Sequence, residues 1–194
     1  MKIGLKDILV EKTNSDKRPG VVGRYSCSKI WAINNGYLSV KEFLEGEEFD
    51  FKSAFRMWQG TWKHSQLEDL LEWKGYKVEE KREMEIDIDG DKFSIVGKAD
   101  IQDLVEKEDV CDFKTSETLT EEAKSWSLHQ VQMYCHLFDK PVGYIVEPRR
   151  NDNNIWLEVI GKVERDEAFF QKEIEKLAKF HKKLCNKSTT KTEK

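Results

Sequence analysis

Between Tyr76 and Lys114 the sequence stops repeating every third or fourth residue and begins to repeat every second. KVEEKREMEIDI and KFSIVGKADIQDLV alternate apolar and polar residues on either side of Asp89-Gly90-Asp91, and DVCDFKT follows a second charged turn. Period-two runs broken by turn residues dictate three antiparallel strands, which any helical bundle would have to abandon. Around them the helical period holds. Ser26 opens a short helix with Ile30, Ile33 and Tyr37 on one side and Gly36 at its end, and Phe55 to Trp73 carries Leu67, Leu70 and Leu71 towards a core. A helix over 119–138, strand-like VGYIVE and NIWLEVIGKV flanking RRNDNN, and a helix from Asp166 to Leu184 complete an α/β (α+β) pattern with a central sheet flanked by helices.

The chain is 194 residues long, enough for one ordinary domain and short for two. Residues 1–24 read as a loosely structured N-terminal segment, 25–185 as a single domain, and 186–194 as a disordered polar tail. No window approaches the run of about 18 apolar residues that spans a bilayer, and the N-terminus lacks a secretory pattern, so a cytoplasmic protein without a membrane role is expected. A net charge of −4 argues against nucleic-acid binding by bulk positive potential but leaves room for local basic patches. Cys27, Cys111, Cys135 and Cys185 form no C-x-x-C pair and read as buried thiols.

Alternation along VCDFKT sets Val110, Asp112 and Lys114 on one face and Cys111, Phe113 and Thr115 on the other. The preceding strand ends in VGKADI, so Asp100 arrives at the same end of the hairpin as Asp112. Two converging carboxylates repel unless a cation joins them, and hard oxygen ligands suit Mg²⁺ or Mn²⁺. Upstream, His64 precedes Glu68 by one helical turn; downstream, Gln130 and Tyr134 stand at i and i+4 on one helix face.

Gly60 to His64 gives G-x-x-x-H, Gly97 to Asp100 gives G-x-x-D, Asp112 to Lys114 gives D-x-K, and Gln130 to Tyr134 gives Q-x-x-x-Y. In this order the four motifs resemble the PD-(D/E)xK nucleases of the RecB-like type, which include CRISPR-associated and helicase-fused exonucleases. The resemblance runs from Ser26 to the last helix and implies a restriction-endonuclease-like core with a mixed sheet. It makes His64, Asp100 and Asp112 metal ligands together with the Phe113 carbonyl. Lys114 would orient or deprotonate the attacking water, or stabilise the phosphate as charge grows on it. Gln130 and Tyr134 would fix the lysine or the scissile nucleotide, and Glu68 would act through a second metal or a bound water.

The activity implied by this resemblance is that of a metal-dependent DNA nuclease, an exonuclease or a single-strand or flap nuclease in repair, recombination or phage replication. His64 as a nitrogen ligand tilts the metal towards Mn²⁺. Many members of the family hold an iron–sulfur cluster with one cysteine before the core and three after it; here only Cys185 follows, so no cluster is expected. The near match GDKFSIVGKA lacks phosphate-loop spacing, so unwinding falls to a helicase or recombination partner, or the DNA substrate already has free ends or single strands. Two other readings stay open: a non-catalytic DNA-binding scaffold of the same fold, and a restriction-type endonuclease. Trp58, Trp62, Trp126 and Tyr25 lie near the motifs as residues that could stack on unpaired bases.

Overall fold

A computed structural model describes residues 5–16, 19–115 and 120–189. Its elements are α1 (Lys6–Ser15), β1 (Arg24–Ser26), α2 (Cys27–Asn34), α3 (Val40–Glu45), α4 (Phe51–Trp73), β2 (Val78–Ile88), β3 (Asp91–Gln102), β4 (Asp109–Phe113), α5 (Glu121–Leu137), β5 (Val142–Arg150), β6 (Ile155–Glu164) and α6 (Glu167–Thr189). The expected mixed α/β architecture is present, a six-stranded mixed sheet with helices packed on it.

The β2–β3 hairpin closes through Asp89 and Gly90, both in the left-handed region (φ 54° and 87°), the backbone that a two-residue turn between right-twisted strands demands. Pairing then runs without a slip from Ile88 opposite Asp91 to Val78 opposite Ile101, skipping only Glu79, itself left-handed at φ 53°. The second turn is organised by a single side chain. Asp109 is fully buried, and its carboxylate accepts from the backbone N–H groups of Leu104, Val105 and Glu106 at 3.1, 2.7 and 2.6 Å. That grip sets where β4 begins.

Strand β3 is the pivot of the sheet. One edge is taken by β2 along its length; the other is shared in series by β1, parallel at Arg24–Ser26 against Ser94–Val96, and β4, antiparallel at Cys111 and Val110 against Ile101 and Gln102. From Gly97 to Asp100 that second edge carries no strand. Beyond β4 the sheet continues through parallel β5 to antiparallel β6, with α5 as the crossover between β4 and β5.

Two cores arise from the alternation. Val110, Ile95 and Tyr25 meet Met133, Phe138, Ile30, Leu177 and Leu184 under α2, α5 and α6. Cys111, Phe113, Tyr144 and Val146 meet Leu67 and Leu71 of α4 on the opposite face. Burying side chains of this size contributes about 1.5–3 kcal/mol each, offset by the conformational entropy of ordering the chain.

Several expectations are corrected. Residues Lys6–Ser15, read as part of a loose N-terminal segment, form a helix tied to the chain before α4 by Asn14, whose amide donates to the Phe49 carbonyl (3.0 Å) and accepts from the Phe49 N–H (2.8 Å). Helix α4 starts at Phe51, because Asp50 caps it through the Ser53 N–H at 2.8 Å, and its Leu70 faces solvent. Tyr37 is not a core residue either: it is exposed beyond the end of α2 and stacks on Trp31. Helix α3 was missed although Ser39 and Glu42 spell a capping box. The last helix continues to Thr189, into the stretch read as tail; 190–194, like 1–4, 17–18 and 116–119, lie outside the described residues. Among the described residues no helix is long and apolar enough to cross a membrane.

Candidate active site

The stretch of β3 left unpaired between β1 and β4 opens into a cleft of about 390 Å³. Asp100, Asp112, Lys114, His64, Gln130 and Tyr134 all line it, from four separate elements and the segment after β4. Gly97 is what lets the helix layer come this close. A Cβ there would stand 2.7 Å from the Leu137 side chain, 2.8 Å from the Tyr134 ring and 3.2 Å from the Cys27 sulfur, so any larger residue would displace the Leu137 and Tyr134 side chains.

Asp112 shares its face of β4 with Val110 and therefore looks towards α5. Gln130 donates its amide to Asp112 Oδ1 (3.1 Å) and to the Tyr134 hydroxyl (2.7 Å), fixing the carboxylate on one side. The other oxygen, Oδ2, is buried and lies 2.6 Å from Lys114 Nζ, an approach outside hydrogen-bond geometry that compensates its charge and leaves it without a donor. Asp100 is held by the neighbouring strand, its Oδ2 accepting from the Phe113 N–H at 2.6 Å.

His64 reaches the cleft from α4, in the other layer. Its Nδ1 lies 3.8 Å from Asp100 Oδ2 and 3.9 Å from Glu68 Oε1, and the ring packs edge-on to Phe113, whose backbone it also contacts. His64, Glu68 and Asp100 each offer an atom within 4.8 Å of the others. The expectation grouped His64 with Asp100 and Asp112 and kept Glu68 apart. In the structure Glu68 stands with His64 and Asp100, whereas Asp112, near enough to act on the charges of both Asp100 and His64, is engaged by Lys114 and Gln130.

Burial governs the electrostatics. It pushes the Asp100 carboxyl up to about 8, and the neighbouring Asp112 charge adds to the effect, outweighing the Phe113 N–H and Lys114. Burial likewise raises Glu68, with Glu79 contributing, and lowers His64 against the pull of Asp112. A neutral imidazole beside carboxylates that resist a shared negative charge is a donor set for a divalent cation. The three donor atoms lie within 4.8 Å of one another, His64 Nδ1 being 3.8 Å from Asp100 and 3.9 Å from Glu68, so one cation can be approached by all three. The residues fit such an ion.

Sequence reading did not find Ser26, Cys27, Ser28, Lys81 and Lys98 on the cleft wall. Lys81 and Lys98 face each other across the β2–β3 hairpin, a pairing that appears only once the Asp89-Gly90 turn fixes the register. Tyr25 is removed from the stacking candidates: it is fully buried, its hydroxyl bonded to His181 Nδ1 at 2.8 Å. Trp58, Trp62 and Trp126 are exposed.

No family model matches the chain, and no curated protein matches it in sequence. Solved structures do resemble it. SSO0001 aligns at 18% identity over 90% of this chain and 86% of its own, with a TM-score of 0.59. An alkaline exonuclease (LHK-Exo) from Laribacter hongkongensis aligns at 18% identity over 89% of this chain and 93% of its own, TM-score 0.54, and its complex with dAMP aligns at 19%, 86%, 90% and 0.53. A phage-related exonuclease from Haemophilus somnus 129PT gives 17% identity, 93% and 99% coverage and 0.51. The chain shares the fold of these exonucleases over most of its length.

Proposed function

We propose that this chain is a divalent-metal-dependent deoxyribonuclease that hydrolyses phosphodiester bonds, of the RecB-like type read from its four motifs. One observation carries the reading: potential metal ligands from α4 and β3 converge in the same cleft as a buried aspartate paired with a lysine. The exonuclease fold of the neighbours, one of them complexed with dAMP, supports it.

His64, Asp100 and Glu68 would hold the ion, with Asp112 and the Phe113 carbonyl at its margin. Bound there, Mg²⁺ or Mn²⁺ supplies Lewis-acid charge to a phosphoryl oxygen and acidifies water. The remaining work belongs to the chain. Lys114 brings a positive charge to the cleft, where negative charge grows on the phosphate in the transition state. Gln130 fixes Asp112 in place and so fixes the position of Lys114, while Tyr134 accepts the second Gln130 donor and locks the amide. The Phe113 N–H aims Asp100 across the strand gap.

A scaffold that only bound DNA would have no use for a buried aspartate whose Oδ1 is held by Gln130 while its Oδ2 faces Lys114 with no hydrogen bond, which is why the enzyme is favoured. The test is cleavage of end-labelled linear DNA and of a closed circle with Mg²⁺ or Mn²⁺. Wild type degrades the linear DNA from its ends and spares the circle, and Asp112→Asn and Lys114→Ala each lose at least about 10³-fold in rate with unchanged circular dichroism. Undiminished cleavage by either variant disposes of the assignment; cleavage of the circle points to an endonuclease.

A further inference from the structure

A second groove, about 970 Å³, lies between α1, α2, α4 and α5 and meets the candidate active site at Ser28, which lines both. Two aromatic ladders each reach its walls with one terminal ring, Trp126 and Trp58. On one side Tyr37 stacks on Trp31 (4.9 Å between centroids, planes 8° apart), and Trp31 on Trp126 (6.5 Å, 29°). On the other Phe51 stacks on Phe55 (5.7 Å, 28°), and Phe55 on Trp58 (5.9 Å, 28°). Trp58 and Trp126, the members that line the groove, remain 56% and 42% exposed. The Trp126 indole N–H donates to the Ser28 carbonyl at 2.8 Å, so this ring is held at the junction of groove and cleft.

Exposed apolar surface concentrated along one groove marks a ligand site. The cations on its walls define the ligand further: Lys12 and Lys29 have carboxylate partners in Asp16 and Glu47, and Arg56 is exposed one helical turn from the groove-lining Ser53 and beside Met57. Flat π faces interleaved with cations suit a polyanion whose bases are free to stack. A duplex keeps its bases stacked on one another and offers the walls only its backbone.

We propose that this groove takes an unpaired DNA strand and leads it past Ser28 into the cleft, with bases stacking on Trp58 and Trp126 and Arg56 meeting the phosphates. The identity of the strand as DNA rests on the nuclease reading; the preference for unpaired bases rests on the exposed Trp58 and Trp126 rings that line the groove.

Fluorescence anisotropy in EDTA, with labelled (dT)₁₂ and with a blunt 20-base-pair duplex, measures binding without cleavage, and hydrolysis of thymidine 5′-(p-nitrophenyl phosphate) with Mn²⁺ reports the active site alone. Trp58→Ala is expected to weaken (dT)₁₂ binding on the order of tenfold, with Trp58→Phe restoring most of it and Arg56→Ala adding salt-dependent loss. Duplex affinity and ester hydrolysis stay within about twofold. The proposal falls if Trp58→Ala binds (dT)₁₂ like wild type, or if single strand and duplex weaken equally. Ester hydrolysis intact beside an indifferent Trp58 variant sinks the groove and spares the nuclease. Wild type inert on ester and DNA but bound to (dT)₁₂ through Trp58 sinks the nuclease and keeps the groove.

Discussion

Asp100 meets two opposed demands: the strand gap buries it, and the proposed cation site needs it ionised. Burial and Asp112 raise its carboxyl to about 8, against about 3.9 in an unfolded chain. Folding therefore favours its protonated form. Its contribution to stability is fully present below about pH 4 and is lost as the pH rises through about 8. His64, lowered by burial, works in the opposite sense near its own range, so the Asp100 part is isolated by difference. In EDTA, the urea midpoint of Asp100→Asn is predicted to gain on that of wild type steadily from pH 5 to pH 8. A gap between the two proteins that does not change with pH would show that Asp100 is not raised. The individual roles were partly legible: the i, i+4 spacing already put Glu68 beside His64, but whether Asp112 or Glu68 completes the group depends on distances across the strand gap that no spacing records.

At the scale of elements, the turns decide more than the strands. Alternation and the Asp-Gly turn made the β2–β3 hairpin readable with its register. The turn into β4 was not readable, because the residue that builds it looks like one more surface acid in a chain that is 36% charged. In the structure Asp109 is buried and satisfies three backbone N–H groups. Asp109→Ala leaves those donors without a partner and is expected to cost at least about 3 kcal/mol, whereas Asp109→Asn, with one carbonyl oxygen left, costs less. Differential scanning calorimetry distinguishes the two; an unchanged melting temperature in Asp109→Ala would mean the loop is held by other contacts. β1 and α3 were missed because three and six residues are too few for any period to show, even though Ser39 and Glu42 announced the latter.

Across the whole molecule, the sheet makes the site by omission. β1 and β4 leave Gly97–Asp100 unpaired on one edge of β3, Gly97 admits Tyr134, and α4 delivers His64 and Glu68 from the opposite layer. The fold class could be read from the order of periods along the chain, and the cleft residues from their motifs. The groove could not, because the exposure of Trp58 and Trp126 depends on how α1, α2, α4 and α5 diverge. The central claim is that these elements meet to hold one kind of ion. Calorimetric titration with Mn²⁺ tests it most directly: wild type is predicted to bind with proton release that grows as the pH falls below 8, and Asp100→Ala and His64→Ala to lose the heat of binding while remaining folded. Equal Mn²⁺ affinity in wild type and both variants would contradict the account.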